Sequence, residues 1–266
     1  MQLLHYLINL SRRPDRWERM SARLQGFNLS PTRVDAIDAR QVSAEELDLT
    51  TRRTGPLGPL HVGDRACTAS HFRAWAAFLD SRDPAAVFLE DDVEFAPDYA
   101  AYARDSDWLP ADAEVVKFEK YSRRVSRKLL GPGLRTPQGR RLHRLYSRHT
   151  GGAAYLLTRR GAKALLSLAG RADVPVDHLI FSPNVSRFAR TRPIYQLVPA
   201  IARQEADPAG SDIAAERRAR MPLRQRLRRA YFEVNCLPRQ LVQMATAGAA
   251  WRKLDYAPAA PRGTGS

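Results

Sequence analysis

The sequence lacks several features that would assign it to a protein class directly. No apolar run in its 266 residues reaches the roughly 18 residues that a membrane-spanning helix requires. Only two cysteines are present, Cys67 and Cys236, which excludes a disulfide framework and a four-cysteine zinc site. The phosphate-binding loop G-x-x-x-x-G-K-S/T, the nucleophile elbow G-x-S-x-G, the zinc motif H-E-x-x-H and the dinucleotide motif G-x-G-x-x-G are also absent. The sequence therefore gives no support to the enzyme classes that these motifs mark.

Lysine is scarce, with five residues, so arginine supplies most of the 43 basic side chains that oppose 28 acidic ones and give a net charge of +15. Residues 120–148 hold ten basic residues and no acid, and residues 217–229 hold seven arginines and no acid. The rest of the chain is close to neutral. Such segments can bind nucleic acid, anionic lipid or phosphorylated ligands, and the alternative is a solvated arginine-rich surface. Glycine and proline at 131–133 and 137–139 predict a partly mobile loop within the first segment.

The first residues do not match a secretory signal, because residues 1–10 have no basic start and no small-residue cleavage site follows them. We expect a buried first strand there, and a protein of the reducing cytoplasm whose two thiols are not oxidised.

Short apolar runs alternate with helical patterns over most of the chain. Strands are predicted at 3–10, 32–37, 85–89, 115–118 and 153–157, and helices at 14–25, 67–79 and 159–168. The alternation predicts an α/β domain with a mainly parallel sheet, which we assign to residues 1–213.

The remainder has a different composition, rich in arginine, leucine and alanine. We predict a basic amphipathic helical tail over 214–256, divided at Pro222 and Pro238, and a disordered terminus over 257–266. A basic amphipathic helix is typical of proteins that lie on an anionic membrane surface.

Three acids, Glu90, Asp91 and Asp92, follow the apolar strand predicted at 85–89. Ligands of open α/β sheets bind at the carboxyl ends of the strands. Crowded carboxylates repel one another unless a cation neutralises them, and Mg²⁺ or Mn²⁺ shares such oxygens with substrate phosphates. The acidic triplet therefore predicts a metal–diphosphate site; the alternative is a solvated turn or a helix start.

Six motifs, in order, resemble those of glycosyltransferase family 25, which includes bacterial lipooligosaccharide galactosyltransferases and the collagen galactosyltransferases. They are YLINLSRRPDR at 6–16, RVDAIDA at 33–39, GDRACTASHFRAW at 63–75, FLEDDV at 88–93, GGAAYLLTRRGAKAL at 151–165 and PVD at 175–177. The resemblance implies a Rossmann-like GT-A fold, a UDP-sugar donor, commonly UDP-galactose, and inversion at the anomeric carbon. The acidic triplet is then the family's form of the D-x-D metal motif.

On this resemblance Asp92 is the first candidate metal ligand. Glu90 and Asp91 then contact the ribose or sugar hydroxyls of the donor, or complete the metal shell; for Glu90 the alternative role is to cap a turn. We expect a divalent cation, Mn²⁺ or Mg²⁺, as cofactor.

Donor-binding candidates follow the first two predicted strands. Asn9 and Arg13 come after the first, and the planar guanidinium of an arginine suits phosphate. Arg16 is a weaker candidate because it lies within a predicted helix. After the second strand, Asp35 or Asp38 can accept hydrogen bonds from ribose hydroxyls, or can form a turn.

Further donor-binding candidates are Ser70 and His71, although a structural role is the alternative for His71. Cys67 can share the helix face of His71, but we expect it to pack, because one thiol and one histidine make a poor metal site. Gly151 and Gly152 let a sugar approach the backbone, or form a tight turn.

An inverting transfer needs a general base that takes the proton of the acceptor hydroxyl. Asp177 is the candidate, and its alternative role is to orient a neighbour or cap a helix. Glu119 is the second candidate base.

We therefore expect a metal-dependent hexosyltransferase that acts on lipooligosaccharide, lipopolysaccharide or another cell-surface glycan. We expect it in the cytoplasm, held on the inner face of the membrane by residues 217–229, with acceptor phosphates facing part of 120–148. A catalytically degenerate family member and a nucleic-acid-binding protein are the alternatives. The second is disfavoured, because only Tyr121 and Tyr146 interleave the basic segments and the acidic triplet stays unexplained, so no nucleic-acid partner is expected.

Overall fold

A computed structural model describes residues 2–121, 125–136, 139–205 and 223–256. The predicted disordered terminus at 257–266, the boundary predicted at 213–214 and the arginines before residue 223 lie outside the described residues, so these predictions stay open.

The described strands are β1 (Leu4–Asn9), β2 (Pro31–Asp35), β3 (Thr54–Gly55), β4 (Gly58–Pro59), β5 (Ala85–Glu90), β6 (Val93–Phe95), β7 (Val115–Lys117), β8 (Ser126–Arg135), β9 (Arg141–Leu145), β10 (Ala154–Thr158), β11 (Ile194–Val198), β12 (Ala202–Gln204) and β13 (Ala250–Leu254). The described helices are α1 (Pro14–Gln25), α2 (Ala44–Asp48), α3 (Val62–Asp80), α4 (Ala100–Ala103), α5 (Arg159–Leu166), α6 (Val176–Phe181), α7 (Arg187–Thr191) and α8 (Leu223–Ala247).

One nine-stranded sheet, in the order β13-β8-β9-β11-β7-β10-β5-β1-β2, forms the centre of the molecule. Strand β1 runs parallel to β2 and β5, and these three strands make a Rossmann-like half. Strand β10 lies between β5 and β7 and is antiparallel to both. The predicted α/β class is confirmed, in a sheet that is parallel on the side of β1 and mostly antiparallel beyond β5.

Both faces of the sheet are covered, which explains why its central strands are apolar runs rather than alternating sequences. On one face, the rings of Tyr6, Phe88 and Tyr155 stack across β1, β5 and β10, with centroid distances of 5.4 Å for each neighbouring pair. On the other face, Leu7 and Val87 pack against buried side chains of α1. This packing fixes the ends of β1 and β5 next to each other, with Ile8 opposite Glu90.

The basic segment 120–148 contains strands where the sequence predicts a partly mobile loop. Strand β8 runs through Gly131 and Gly133 and pairs with β9, and the register shifts between Leu130 and Gly133. A bulge of this kind accommodates an extra residue in one strand, so the Gly-Pro-Gly sequence does not end the pairing. The prediction of a mobile loop at 131–133 is wrong, whereas residues 122–124 and 137–138 are outside the described residues.

The predicted division of the tail at Pro238 is also wrong, because α8 continues through this proline. Cys236 and Gln240, which flank it, are both buried, so packing against the body holds the helix on either side. After α8 the chain returns to the sheet, where β13 pairs with β8 and Trp251 lies opposite Leu129. Throughout the described ranges, every helix is too short or too polar to span a bilayer.

Candidate active site

The acidic triplet lies at the carboxyl end of β5, and its middle member is bound from two sides. Asp91 is buried and accepts hydrogen bonds from Asn9 Nδ2 at 2.7 Å and from Arg16 Nη1 at 3.0 Å. Asn9 Oδ1 in turn accepts from Arg33 Nη2 at 2.8 Å. The end of β1 and the first turn of α1 therefore hold the triplet in place, and the donor-binding roles predicted for Asn9 and Asp91 remain predictions.

The sequence ranks Arg13 above Arg16 as a donor-binding candidate, but in the structure Arg16 is the one that contacts the triplet. Arg16 forms an ion pair with Asp91 and is mostly buried. Arg13 pairs at 2.8 Å with Asp15, an exposed carboxylate at the start of α1. The arginine within the helix is thus the one that reaches the triplet.

The outer members of the triplet converge on one amide group. Gln204 Nε2 lies 3.2 Å from Glu90 Oε2 and 3.5 Å from Asp92 Oδ1. Gln204 belongs to β12, which pairs with β6 directly after the triplet. Sequence reasoning missed Gln204, since no local signal predicts that a strand more than a hundred residues away closes over the acids.

The electrostatics of this group favour a cation. Burial, together with the charges of Glu90 and Asp91, raises the pKa of Asp92 to about 8, although the nearby Arg16 acts in the opposite direction. An amide nitrogen that donates to two carboxylates occupies a position that suits a small cation. Carboxylate and amide oxygens are the ligands that Mg²⁺ and Mn²⁺ prefer, so the residues present fit the predicted cofactor.

The other side of Glu90 faces helix α3. His71 is fully buried, with its Nε2 3.3 Å from Glu90 Oε1 and its Nδ1 2.8 Å from the hydroxyl of Tyr155. That hydroxyl also accepts a hydrogen bond of 2.8 Å from Trp75 Nε1. Cys67, one helical turn before His71, places its Sγ 3.9 Å from the same Glu90 oxygen. The structure thus joins Cys67 and His71 to the triplet.

Ser70 has contacts within the fold. Its buried hydroxyl donates to Ala66 O at 2.7 Å and accepts from the backbone nitrogen of Ile37 at 2.8 Å. The hydroxyl therefore connects α3 to the segment after β2. Its predicted contact with the donor remains a prediction.

Asp177 lies in the first turn of α6 and is partly exposed. Its Oδ2 accepts from the backbone nitrogen of Gly151 at 3.0 Å, and its Oδ1 accepts from that of His178 at 2.7 Å. A Cβ atom added at Gly152 would lie 3.9 Å from Asp177 Cβ and 4.0 Å from Glu90 Oε1. Asp177 and Glu90 therefore border the same space, on either side of Gly152.

Glu119 is buried behind this space and forms an ion pair. Its Oε2 accepts from Lys117 Nζ and from the backbone nitrogen of Ala153, each at 3.0 Å. Lys117 Nζ also donates to the carbonyl of Gly151 and lies 4.2 Å from the ring centroid of Phe181. Within the described part of the chain, Glu119 Oε1 is buried without a hydrogen-bond partner. Burial raises the pKa of Glu119, an effect that the charge of Lys117 opposes.

Sequence reasoning did not single out Lys117, although a lysine between apolar residues of a predicted strand is a signal for a buried partner.

The contacts of the two candidates after β2 are with residues outside the triplet. Asp35 is exposed, accepts from Ser11 Oγ at 3.1 Å and pairs with Arg33 Nε at 3.3 Å. Asp38 pairs with Arg12 Nε at 2.6 Å. The turn-forming alternative for Asp38 agrees with its acceptance of a hydrogen bond from the backbone nitrogen of Arg40, at 3.0 Å.

Comparisons with known proteins agree with these motifs. The model of glycosyltransferase family 25, described as an LPS biosynthesis protein family, matches residues 3–180. The chain is 24% identical over 221 residues to the lipooligosaccharide biosynthesis protein lic2B of Haemophilus influenzae, covering 79% of each chain. It is 29% identical over 105 residues to a glycosyltransferase 25 family member of Drosophila pseudoobscura pseudoobscura, covering 37% of this chain and 17% of that protein.

A further match is the probable inactive glycosyltransferase 25 family member 3 of Bos taurus, which is 29% identical over 186 residues. The match covers 66% of this chain and 30% of that protein. The chain therefore spans less than a third of these animal relatives and most of the bacterial one. All six motifs lie within the residues that the family model matches. The match and the α/β sheet together confirm the Rossmann-like GT-A fold predicted above.

Proposed function

The chain belongs to glycosyltransferase family 25, and we propose on that basis that it moves a hexose from a UDP-sugar to a saccharide acceptor with inversion. Galactose is the first candidate for the hexose. The acceptor is lipooligosaccharide, lipopolysaccharide or another cell-surface glycan, and the name of the Haemophilus influenzae relative supports this class. The observation that carries the proposal is the convergence of Glu90 and Asp92 on Gln204 at the end of β5.

The donor diphosphate, in this proposal, lies against the carboxyl ends of β1 and β5. Asp92 and Glu90 would hold a divalent cation, Mn²⁺ or Mg²⁺, in place of the hydrogen bonds from Gln204. Such a cation neutralises the charge that develops on a departing nucleoside diphosphate. Arg16 keeps Asp91 and hence the triplet in position, and Arg13, which stands at the surface of the same sheet edge, supplies a second positive charge for phosphate.

Asp177 is the proposed general base. It is partly exposed and borders the space at Gly152 together with Glu90, so an acceptor hydroxyl can reach it from the side opposite the donor. Glu119 is fully buried and bound to Lys117, so a substrate hydroxyl cannot reach it without displacing the backbone of Gly151. We assign Glu119 and Lys117 the task of holding the Gly151 turn, against which Asp177 is oriented.

A panel of nucleotide sugars tests the reaction. The full chain is incubated with UDP-, GDP- and CMP-sugars and Mn²⁺ or Mg²⁺, and release of the nucleotide is measured with and without a chelator. We expect turnover of a UDP-hexose that the chelator abolishes. A catalytically degenerate protein would release no nucleotide from any donor, and that result would contradict the proposal.

We also propose that α8 holds the protein on the anionic inner face of the membrane. Its outward face, opposite the buried Cys236 and Gln240, carries a row of apolar side chains that are 60–67% exposed: Leu223, Leu227, Tyr231, Val234 and Leu241. Arginines flank this row at positions 224, 226 and 228. An apolar row with cations on its flanks fits a bilayer interface, where each arginine contributes about 1 kcal/mol.

Vesicle flotation tests this attachment with charge-matched variants. Deleting the tail is unsuitable, because β13 pairs with β8 and belongs to the sheet. Leu227→Glu with Leu241→Glu places two charges in the apolar row, whereas Asn235→Glu with Thr246→Glu places two charges on the same helix outside it. With phosphatidylglycerol vesicles we expect the first pair to weaken binding at least tenfold, because burying one leucine stabilises by about 1.5–3 kcal/mol. Equal binding of the two double variants to the vesicles would contradict the proposal.

A further inference from the structure

We propose that Cys67, His71 and Glu90 form a zinc site that shares Glu90 with the acidic triplet, so that zinc acts as an inhibitor of the transferase. The sequence alone offers Cys67 one histidine as a co-ligand, and for that reason it predicts that Cys67 packs. The structure adds a third ligand from a different element, since β5 ends beside α3. The binding of zinc stands independently of the proposed function, and only the inhibition rests on it.

The three ligand atoms are close to the arrangement that zinc requires. Cys67 Sγ, His71 Nε2 and a Glu90 oxygen all lie within 4.8 Å of one another. Glu90 Oε1 is 3.3 Å from His71 Nε2 and 3.9 Å from Cys67 Sγ. In tetrahedral zinc, bonds of about 2.0–2.3 Å separate neighbouring ligand atoms by roughly 3.3–3.6 Å. A small rotation of the Cys67 side chain therefore completes three corners of a tetrahedron.

The histidine is already oriented for coordination. His71 is four residues after Cys67 on α3, and this spacing places both side chains on one face of the helix. The Tyr155 hydroxyl engages His71 Nδ1 and is itself fixed by Trp75, so Nε2 is the nitrogen that faces Glu90. Metal-bound histidines in proteins are commonly held in this way through their second nitrogen.

Access and charge also suit a cation. Cys67 and Glu90 are partly exposed while His71 is fully buried, so an ion enters from the side of the triplet and a water molecule takes the fourth position. Binding converts the Cys67 thiol to a thiolate and releases one proton to solvent. A soft thiolate next to an imidazole favours zinc over the magnesium or manganese that carboxylates prefer.

Inhibition follows from the shared carboxylate. When Glu90 coordinates zinc on the side of α3, it is drawn away from Gln204, whose Nε2 contacts the other Glu90 oxygen and also Asp92 Oδ1. The hard cation of the transfer reaction then has one carboxylate fewer. Zinc is therefore expected to lower turnover without displacing the nucleotide sugar from Arg13.

Cobalt(II) binding to the full chain tests the site directly. A cobalt–thiolate charge-transfer band, removed by an equimolar amount of zinc, reports a cysteine ligand. We expect the band in the wild type and in Cys236→Ala, which removes the other thiol, and its loss in Cys67→Ala. Competition with a chromophoric chelator is expected to show zinc bound at one equivalent and at least about tenfold more weakly in Cys67→Ala. Thermal unfolding of both variants without metal checks that they are folded.

Two results would overturn the proposal. One is a wild-type protein that binds cobalt without the thiolate band, and the other is a band that Cys67→Ala retains. If the binding is observed and the protein turns over a UDP-sugar, zinc should lower that turnover in the wild type and Cys236→Ala but not in Cys67→Ala. Equal zinc inhibition of all three proteins would refute the inhibitory role, whereas absence of any turnover counts against the proposed function and leaves the binding result standing.

Discussion

A pair of glycine substitutions tests whether the Glu119–Lys117 pair holds the active-site turn. Gly151 and Gly139 both have positive φ angles, of 86° and 81°. A Cβ atom at Gly139 would meet nothing within 4 Å, whereas one at Gly151 would lie 2.4 Å from Glu119 Oε1 and 2.8 Å from Oε2. Gly139→Ala therefore measures the cost of the backbone conformation alone. Gly151→Ala measures that cost together with the displacement of Glu119 and of the Tyr121 ring, whose Cδ2 would lie 2.8 Å from the new Cβ.

The expected magnitudes differ by several kcal/mol. A side chain in the left-handed region costs about 1–2 kcal/mol, which is all that Gly139→Ala should lose. In Gly151→Ala the carboxylate must move away from Lys117 and the Ala153 nitrogen, and separating a buried ion pair costs about 3–5 kcal/mol. We expect a loss of about 4–7 kcal/mol in the free energy of unfolding, measured with urea and tryptophan fluorescence. If Gly151→Ala cost no more than Gly139→Ala, the Glu119 carboxylate would not be held as described.

Three further predictions concern charges. Lys117→Met is expected to destabilise the protein by about 3 kcal/mol or more, measured by urea unfolding. Adding Glu119→Gln should restore most of that loss, because no buried charge is then left unpaired. A double variant that is less stable than Lys117→Met would contradict this. Burial lowers the pKa of His5 to about 4 from 6.5, so between these pH values the unfolded chain binds a proton that the folded chain does not. About 3 kcal/mol of stability present above pH 6.5 is therefore lost as the pH falls to 4. His5→Asn should flatten this dependence of the free energy of unfolding on pH, and an unchanged slope in the variant would refute the assignment. Asp177→Asn is expected to lower kcat about 10²–10⁴-fold with little change in the KM of the donor, and a raised KM with unchanged kcat would make Asp177 an orienting residue.

The half of the fold around β1 and β5 is predictable because local sequence encodes it. Strand β5 is an uninterrupted apolar run that ends at Glu90, and α1 begins at Pro14 and ends at Gln25 as the pattern predicts. The acidic triplet is visible for the same reason, since all three acids are consecutive and follow a buried strand.

Other elements depend on partners distant in sequence. Strand β8 contains Gly131, Pro132 and Gly133 yet forms because β9 and β13 pair with it on both edges. Gln204 reaches Glu90 only because β12 pairs with β6. Cys67 meets Glu90 because α3 packs on the sheet, where Phe78 contacts the rings of Tyr6 and Phe88 and Trp75 donates to the Tyr155 hydroxyl. No window of sequence contains both partners in these contacts, so the local pattern could not predict them.

In the proposed function the acidic triplet binds a cation for sugar transfer, and Asp92→Asn tests this binding. Its control is Asp107→Asn, an exposed carboxylate in the loop after α4. The measurement is kcat/KM for the UDP-hexose as Mn²⁺ is titrated from a chelated start. We predict that the wild type and Asp107→Asn rise together with Mn²⁺, and that Asp92→Asn stays lower by at least about 10²-fold. Turnover that is independent of the cation, or equal in Asp92→Asn and the wild type, would contradict the claim.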